Sequence, residues 1–456
     1  MTAPPSDTLM DKVAEAQARR DRARLIAAHR ELLGLRRRVE ELERGPFRRI
    51  LDPARQLVQA VAPALRARRN DPRKPGLVAA RPAEPRPAPR GRALVIDHAW
   101  PQPDRDAGSV EIVNLMRALD RLGFDAVLAA SREHDAVSAA RDDLVRSGIR
   151  CLGPDDAPSV EAFLREQGQS LDLCVLCRVF CGGEFLEEVQ RSCPAARVVF
   201  NSIDLNFLRE ERKALLLGDP EWLEIARRAR LREDHLIRSS DATMVVSAAE
   251  LGLLAQATPE ALVVHMPLGR PVQPPVASWE QRRGIGFIGG FTHAPNADAV
   301  RYFLAEVWPL VVRDLPDCSL SLVGEGMPPD LLDGCPGQVC VRGHVPDVGP
   351  WFESLRLTVA PLRFGAGAKG KVASSLAAGV PCIATPVAAE GMGLDDSAGV
   401  MVADTPAAFS EAVHTAYTDP ALWRSLSAHG LAYAEHTLSL AGWRSRLDGM
   451  LKQIGL

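Results

Sequence analysis

The sequence predicts an α/β protein with two doubly wound parallel-sheet domains in tandem, preceded by a helical arm. Short, continuous apolar runs such as ALVIDHAW (93–100) alternate with amphipathic segments such as GSVEIVNLMRALDRLG (108–123). This alternation is typical of strands that helices cover on both faces. It is interrupted by the proline-rich stretch at 270–283 and begins again with GIGFIGGF (284–291). The length of 456 residues also exceeds that of one ordinary core.

Each series of elements follows the same order of strand and helix. The first series, at 92–276, has the predicted strands ALVIDHAW, DAVLAAS, IRCLG, LDLCVLCR, ARVVFNSID, ATMVVSA and ALVVHMP. The second, at 277–456, has GIGFIGGF, CSLSLVGEG, QVCVRGHV, LTVAPL, PCIATPV and GVMVA. Sheets of this kind bind ligands at the carboxyl ends of their strands. We therefore expect a binding cleft between the two domains.

Composition and charge indicate a globular chain with a basic N-terminal arm. Hydrophobic residues make up 46% of the sequence and charged residues 25%, which is ordinary for a soluble domain. The net charge of −3 conceals 22 Lys+Arg against 11 Asp+Glu in the first 92 residues. The sequence has no run of 18 apolar residues, so no membrane span is predicted. Its first residues lack the apolar core of a signal peptide. We expect a cytoplasmic protein with reduced thiols.

The arm is predicted at 1–72 and a Pro/Ala/Arg-rich linker at 73–91. Residues 9–44 are expected to form one helix with apolar residues near heptad spacing. This helix could pair in a short coiled coil, which would make the protein a homo-oligomer, or it could be a single charged helix without a partner. The basic amphipathic segment 47–69 suits either an anionic membrane surface or a solvated helix. Nucleic-acid binding is disfavoured because the arm lacks interleaved aromatic residues.

Three cysteines lie close together in LDLCVLCRVFCGG, at Cys174, Cys177 and Cys181. A closed metal site would need a second set of ligands. The apolar surroundings favour buried thiols that act as small hydrophobic residues. We therefore expect no metal here.

The segment RFGAGAKGKV (363–372) contains the phosphate-loop pattern G-x-x-x-x-G-K, followed by Val372. A triphosphate hydrolase needs a hydroxyl after the Gly-Lys pair to hold Mg²⁺, and Val372 has none. The loop follows a predicted strand and opens a predicted helix, so its N–H groups and lysines can face an anion. A loop that binds phosphates without metal fits better. The alternative is a glycine-rich turn with solvated lysines.

The run APLRFGAGAKGKVASSLAAGVPCIATPVAAEGM (360–392) resembles the donor-binding segment of bacterial family 4 glycosyltransferases, especially the subgroup with PLR-x-GAG-x-KGK. FIGGFTHAPNADAVRYFLAEVWPLV, LSLVGEG, VRGHVPDVGPWFES, DHAWPQPDRDAGSV, FNSIDLNFLREERKA and MVVSAAE resemble the same subgroup in the same order. The resemblance covers about 92–456. It implies the GT-B architecture of two Rossmann-like domains, with the final helices packing back toward the N-terminal domain. It also implies retaining transfer from a nucleotide-sugar without bound metal.

The resemblance assigns a role to each candidate residue. Asp204, Asn206 and Lys369 would be the catalytic residues. The implied ligands of the donor phosphates, which must stabilise the leaving diphosphate, are Gly108, Ser109, Arg363, Gly367, Lys369 and Lys371. The implied nucleotide and sugar contacts are Gly289, Gly290, Gly343, His344, Val345, Ser374, Glu390 and Gly391. For Gly108 and Ser109 an ordinary helix N-cap formed by the serine is an equal alternative.

The sequence departs from the family pattern at three positions. Asn206 stands where the family usually has His; Asn bonds a hydroxyl group but does not titrate near neutral pH. Ala366 and Ser374 stand where the wider family has two Glu. Arg209 and Glu210 are expected to hold the Asn206 loop by an ion pair. These departures leave a second hypothesis: a degenerate member that binds a nucleotide or glycan, or acts as a scaffold, without turnover.

The family implies a nucleotide-sugar as donor and a glycan or lipid-linked molecule as acceptor, in bacterial surface polysaccharide synthesis. A basic arm near an anionic membrane would suit a lipid-linked acceptor at the inner face of the membrane. No cofactor is expected.

Overall fold

Two parallel sheets with helices on both faces make up the described part of the chain, which confirms the predicted fold class. The computed structural model describes residues 88–134, 138–332 and 338–456. Pro85–Leu456 forms one compact unit that contains both sheets. The arm at 1–72 and most of the linker lie outside the described residues. The helix at 9–44, its coiled coil and the membrane segment at 47–69 therefore stay predictions.

The N-terminal sheet has the strand order β3-β2-β1-β4-β5-β6-β7, and its strand pairs are parallel. Its strands are β1 (Gly91–Asp97), β2 (Phe124–Ala130), β3 (Arg150–Cys151), β4 (Leu173–Cys177), β5 (Arg197–Asn201), β6 (Ala242–Val245) and β7 (Val263–His265). In the register, Val95 of β1 lies between Leu128 of β2 and Val175 of β4. The strand order reverses between β1 and β4, so a crevice opens at their carboxyl ends.

Helices cover this sheet on two sides and form two cores. They are α1 (Ala107–Arg121), α2 (Ala139–Arg146), α3 (Val160–Gln167), α4 (Val179–Ser192), α5 (Asn206–Leu217), α6 (Pro220–Ser239) and α7 (Ala248–Ala257). One core packs Ile112, Leu115 and Leu119 of α1 on the sheet. The other packs Phe185 and Val189 of α4 with Phe200 of β5 and Leu236 of α6. Apolar residues three or four positions apart, on successive turns of each helix, therefore account for the packing.

The C-terminal sheet has the order β10-β9-β8-β11-β12-β13, again with parallel pairs. Its strands are β8 (Ile285–Ile288), β9 (Ser319–Val323), β10 (Gln338–Gly343), β11 (Leu357–Ala360), β12 (Cys382–Ala384) and β13 (Val400–Val402). Its helices are α8 (Ala294–Tyr302), α9 (Trp308–Asp314), α10 (Gly349–Ser354), α11 (Gly370–Ala377), α12 (Pro386–Ala389), α13 (Pro406–Thr418), α14 (Pro420–Tyr433) and α15 (Leu440–Gln453). A π-helical turn, Phe303–Val307, joins α8 to α9, and another, Ala434–Leu438, follows α14.

The last helix, α15, packs on the N-terminal domain. Its Trp443, Leu447, Met450 and Leu451 are buried in the same core as α1. Arg270, after β7, donates its backbone N–H to Leu438 O at 2.7 Å. The chain therefore crosses between the domains twice, and the two crossings lie side by side.

The three clustered cysteines are buried side chains. Cys174 and Cys177 lie in β4 and Cys181 in α4. Burial raises the pKa of the Cys177 thiol well above its usual range and that of Cys181 to about 12. Among the described residues no group of three or more His, Cys, Asp or Glu could hold a metal ion. In the same part of the chain, no helix combines the length and the apolar character that a membrane crossing requires.

Candidate active site

The glycine-rich loop between β11 and α11 folds around the ammonium group of Lys369. Gly365 and Gly367 have positive φ angles of 144° and 69°, which glycine adopts without a steric penalty. Lys369 Nζ donates to Ala366 O at 2.8 Å and to Gly367 O at 2.6 Å. These two carbonyls use two of the three N–H donors of the ammonium group. Burial is the main cause that lowers the pKa of Lys369 to about 8.

Lys371 lies behind this loop, inside the C-terminal domain. Its Nζ donates to Asn296 Oδ1 at 2.9 Å and is 5.3 Å from the centre of the Phe287 ring. Burial, and then the nearby charge of Lys369, lower its pKa to about 8. The buried ammonium group of Lys369 and the partly buried one of Lys371 lie close together and make this region attractive to an anion.

Arg363, the third predicted phosphate ligand of this loop, is paired with an acidic residue of α8. Both Asp298 oxygens on α8 accept from its guanidinium, which lies 5.5 Å from the centre of the Tyr302 ring. The role of Arg363 as a phosphate ligand stays a prediction, and it would require this guanidinium to bind the phosphate in addition to Asp298 or in its place. Hydrogen bonding to Asp298 raises the pKa of Arg363 further.

The two glycines after β8 lie where a side chain would not fit or would narrow the cleft. A Cβ on Gly289 would lie 2.7 Å from Asn296 Nδ2, the amide that also donates to Gly290 O at 2.8 Å. A Cβ on Gly290 would lie 3.9 Å from Arg105 O of the N-terminal domain. Gly290 therefore lies at the boundary of the two domains.

The predicted base-binding segment 343–345 also lies at this boundary. Gly343 has a positive φ of 66° and accepts from Gly324 N–H at 2.8 Å. The His344 Nε2 atom is 3.1 Å from Asp104 Oδ2 of the N-terminal domain. Val345 packs on the small core around Trp351. The segment thus joins the two domains through His344.

Asp204 and Asn206, the predicted N-terminal contacts, lie opposite the loop. A Cβ on Gly367 would lie 3.2 Å from Asp204 Cβ. Arg209 contacts the carboxylates of both Asp204 and Glu210, the latter at 3.1 Å, so the predicted ion pair with Glu210 is present. Asn206 is buried at the first position of α5. The structure therefore brings Asp204, Gly367 and Lys369 together.

Glu390 and Gly391 meet the N-terminal domain directly. Arg212 of α5 donates to Glu390 Oε1 at 2.9 Å and to Gly365 O at 2.8 Å. Gly391 O accepts from Ala248 N–H at 2.8 Å, and a Cβ on Gly391 would lie 2.0 Å from Ser247 Oγ. Arg212 thus ties the loop and Glu390 to one helix, a role that the sequence analysis did not assign.

Ser374 is in contact with a buried interdomain ion pair. Arg270 donates from Nε to Ser374 Oγ at 3.1 Å and also pairs with Glu111 of α1. Both charged side chains are only 6% exposed. Burial raises the pKa of Glu111, and the charge of Arg270 opposes this. Ser374 therefore lies at the boundary of the two domains, bonded to a cation.

Gly108 and Ser109, whose N–H groups are predicted to contact the donor phosphates, lie in the first turn of α1. Asp106, and not Ser109, is the N-cap of α1: its Oδ1 accepts from Ser109 N–H at 2.9 Å and its Oδ2 from Ser109 Oγ at 2.6 Å. This corrects the predicted N-cap. The Ser109 N–H group already has an acceptor, while Gly108 lies where a Cβ would approach Arg178 Nη2 to 2.8 Å.

Two non-glycine residues with positive φ mark the carboxyl edge of the N-terminal sheet. They are Arg178 after β4 (φ 65°) and Ile203 after β5 (φ 64°). Strain of this kind often occurs at functional sites. Arg178 Nε donates to the buried Asp97 Oδ1 at 2.9 Å. Although burial works to raise the pKa of Asp97, His98 and Arg178 lower it overall.

His293 also faces this group of charges. Desolvation, followed by the charge of Arg209, lowers its pKa to about 4, although the residue is exposed to solvent. A neutral imidazole can accept a hydrogen bond at neutral pH. Sequence patterns offered no reason to single out this histidine.

With this geometry in view, comparison with known proteins shows what the chain resembles. Residues 282–419 match the family described as "Glycosyl transferases group 1". This segment contains the whole loop and the candidate residues from Gly289 to Gly391. A comparison with curated protein sequences gives no match.

Several solved structures align with the two domains of this chain over nearly their whole length. Sucrose-phosphate synthase from Thermosynechococcus elongatus is 15% identical, with 80% of this chain and 99% of that chain covered and a TM-score of 0.65. The fold is GT-B. S. aureus TarM, a mutant in complex with fondaparinux, alpha-GlcNAc-glycerol and UDP, is 8% identical (79% and 99% covered, TM-score 0.63). Anabaena HepE in complex with UDP-glucose is 12% identical (80% and 100% covered, TM-score 0.58).

Gly370 lies where the two domains approach each other closely, and Gly370→Ala tests whether the cleft requires this approach. A Cβ there would lie 2.4 Å from Ala107 Cβ of the opposite domain. Alanine suits α11 at least as well as glycine does, so each domain should fold while their contact is blocked. We expect a larger radius of gyration in X-ray scattering and at least a roughly tenfold loss of any transfer activity.

The matched control is Gly183→Ala in α4, where a Cβ would meet nothing within 4 Å. That variant should behave as the wild type does. A Gly370→Ala protein with unchanged scattering and activity would show that the domains do not need this close approach.

Proposed function

We propose that the protein is a retaining glycosyltransferase that moves a sugar from a nucleotide-sugar to a glycan or glycoconjugate acceptor. The observation that carries the proposal is the cationic loop at 365–371, which lies inside the segment that matches a glycosyl transferase family. This loop contacts the turn around Asp204 of the other domain. A scaffold would not need a buried ammonium group with a second, partly buried one beside it. Solved relatives of the same fold include complexes with UDP and UDP-glucose.

The charges at the cleft suit stabilisation of a leaving diphosphate without a metal. Lys369 and Lys371 bring positive charge into a site shielded from water, where electrostatic stabilisation of the transition state is strong. The start of α11 adds the positive end of its helix dipole. We therefore propose that these groups act in place of a metal ion, and that no cofactor is required.

The neighbouring polar groups suit recognition of sugar hydroxyls. Asp204, His293 and Glu390 surround the loop and offer hydrogen-bond acceptors, while Arg212 offers donors. We propose that the donor sugar lies among them and that the acceptor enters from the N-terminal side, near Arg178. We propose that the acceptor is a glycan or a lipid-linked molecule of bacterial surface polysaccharide synthesis. The protein would act on it from the cytoplasm, in contact with the membrane.

A second candidate is a donor-binding protein without turnover. Ser374 stands where a ribose-binding Glu is usual in the resembled family, and its hydroxyl already accepts from Arg270. This contact reduces what Ser374 can offer to a ribose. The candidate predicts nucleotide binding with no transfer.

Calorimetry with a panel of nucleoside diphosphates and nucleotide-sugars, first with EDTA and then with Mg²⁺, tests the proposal. We expect one base to bind in EDTA, with little change on adding Mg²⁺. Incubation of that nucleotide-sugar with glycan acceptors should give a product of the same anomeric configuration as the donor. Binding without transfer to any acceptor tried would favour the second candidate, and no binding under either condition would contradict both.

A further inference from the structure

The start of α5 is held by carboxylates that come from two other helices. Glu250 Oε1 of α7 accepts from Leu205 N–H at 2.9 Å. Glu233 of α6 accepts from Asn206 N–H at 2.7 Å with one oxygen and from Phe207 N–H at 2.8 Å with the other. Three consecutive backbone donors at a helix N-terminus are therefore satisfied by two side chains that are distant in sequence. We call this pair the carboxylate clamp.

A helix start does not require such an arrangement. The first N–H groups of a helix are usually satisfied by water or by a nearby Ser, Thr, Asp or Asn. This chain does so at α1 with Asp106, at α3 with Ser159 and at α6 with Asp219. At α5 the N-cap residue is Leu205, whose side chain forms no cap hydrogen bond. Buried glutamates from two other helices therefore cap α5 in place of its own N-cap residue.

Burying these glutamates has a substantial free-energy cost. Glu233 is 0% exposed and Glu250 is 1% exposed. Desolvation raises the pKa values of both carboxyl groups, and the backbone N–H groups that bond to their ionised forms lower them in part. Costly buried polar groups of this kind often occur where a site must be held in one geometry.

The clamp lies directly behind the residues that face the donor loop. Asp204 precedes the first clamped residue, Asn206 is itself clamped, and Ile203 before them has the strained φ of 64°. A Cβ on Gly367 would be 3.2 Å from Asp204 Cβ. A small rotation of the start of α5 would therefore move Asp204 and Asn206 relative to the loop.

We propose that Glu233 and Glu250 are positioning residues for glycosyl transfer: the clamp fixes Asp204 and Asn206 against the Gly367–Lys369 loop. This inference rests on the proposed function. Glu233 bonds only to the start of α5, whereas Glu250 also faces Gly367 N–H of the donor loop and interacts with the charge of Lys369. Glu233 should therefore govern the reaction step more than donor affinity.

Glu233→Gln is the principal variant. Glutamine keeps the shape but has only one acceptor oxygen, and its NH₂ group would face a backbone N–H. We expect kcat to fall about 10- to 100-fold, because small misplacements at a reacting centre have effects of this size. The Kd of the nucleotide donor should stay within about threefold of the wild-type value.

Glu250→Gln and Glu221→Gln provide the comparison. At position 250 a single acceptor is enough for Leu205 N–H, so Glu250→Gln should change kcat by less than about threefold, while Glu250→Ala should resemble Glu233→Gln. Glu221 lies exposed on the same helix as Glu233, and Glu221→Gln should have no effect.

Amide hydrogen exchange supplies a readout that does not depend on activity. Loss of the clamp should speed exchange at Leu205, Asn206 and Phe207 and leave β4 and β5 protected. The inference is overturned if exchange at these amides is unchanged, or if Glu233→Gln weakens donor binding as much as it lowers kcat. A wild-type protein that neither binds nor transfers a donor would instead refute the proposed function, and the clamp would then be judged by exchange alone.

Discussion

Lys369→Met is expected to lower kcat/KM for the nucleotide-sugar by about 10²- to 10³-fold, as loss of one preorganised donor to a developing oxyanion does. Methionine has a similar length and no charge, so it keeps the volume of the side chain but leaves Ala366 O and Gly367 O without their donor. The ammonium group is lost from a position where burial strengthens every electrostatic interaction. Steady-state kinetics and calorimetry with the same donor measure the effect.

The pH dependence separates the loss of charge from a disturbed loop. Lys369 has a pKa of about 8, so its ammonium is charged below this pH and is lost as the pH rises through it. A bound diphosphate favours the charged form, so donor binding should take up a proton near pH 8 and weaken at higher pH. Calorimetry in buffers with different ionisation enthalpies detects this uptake, which Lys369→Met should reduce, leaving the contribution of Lys371.

Lys452→Met is the control, since Lys452 is exposed and pairs with Asp448 on α15. It should leave affinity, turnover and proton uptake unchanged. Lys369→Met with a donor Kd and kcat within threefold of the wild type would show that the loop is structural. Equal loss in both variants would point to a general effect on folding.

The architecture could be predicted from sequence because it depends on local patterns. Runs such as LDLCVLCR and LTVAPL are apolar throughout, and a strand with both faces covered requires this. The glycines at 365 and 367 likewise indicate a turn that only glycine adopts easily. Fold class and the position of the loop therefore followed from short stretches of chain.

The partners of the charged residues could not be predicted in the same way. Arg363 pairs with Asp298, which lies 65 residues earlier, and Lys371 bonds to Asn296, which lies 75 residues earlier. No short motif encodes such pairs. Ser109 shows the same limit on a smaller scale, because the choice between it and Asp106 as N-cap depends on where α1 begins.

The sequence of α6 contains one indication of the carboxylate clamp. On α6 the buried residues are Ala226, Ala229, Glu233, Leu236 and Ile237. Their spacing follows the apolar stripe of an amphipathic helix, so Glu233 occupies a position that should be apolar. A charged residue in such a stripe needs a buried partner, although the sequence does not say which.

Arg270→Met is expected to lower the free energy of unfolding by about 3–5 kcal/mol, the usual effect of removing one partner of a buried ion pair. Glu111 would remain buried without its cation. Because burial already raises the pKa of Glu111, the carboxyl group should bind a proton at low pH and limit the loss. The deficit should therefore grow as the pH rises above the unfolded-state pKa of the carboxyl group. Urea unfolding at several pH values measures it.

A double replacement decides whether the pair stabilises the protein or specifies its domain arrangement. Arg270→Met with Glu111→Leu removes both charges, and we expect it to recover most of the lost stability, because apolar replacements of buried pairs are often neutral. Arg228→Met, at an exposed pair with Glu224, should leave the free energy of unfolding nearly unchanged, because solvent screens such pairs. If the double variant is stable yet inactive, the pair has been retained for the geometry of the cleft, since Arg270 also donates to Ser374. If the double variant stays as unstable as Arg270→Met, the ion pair itself contributes the stability.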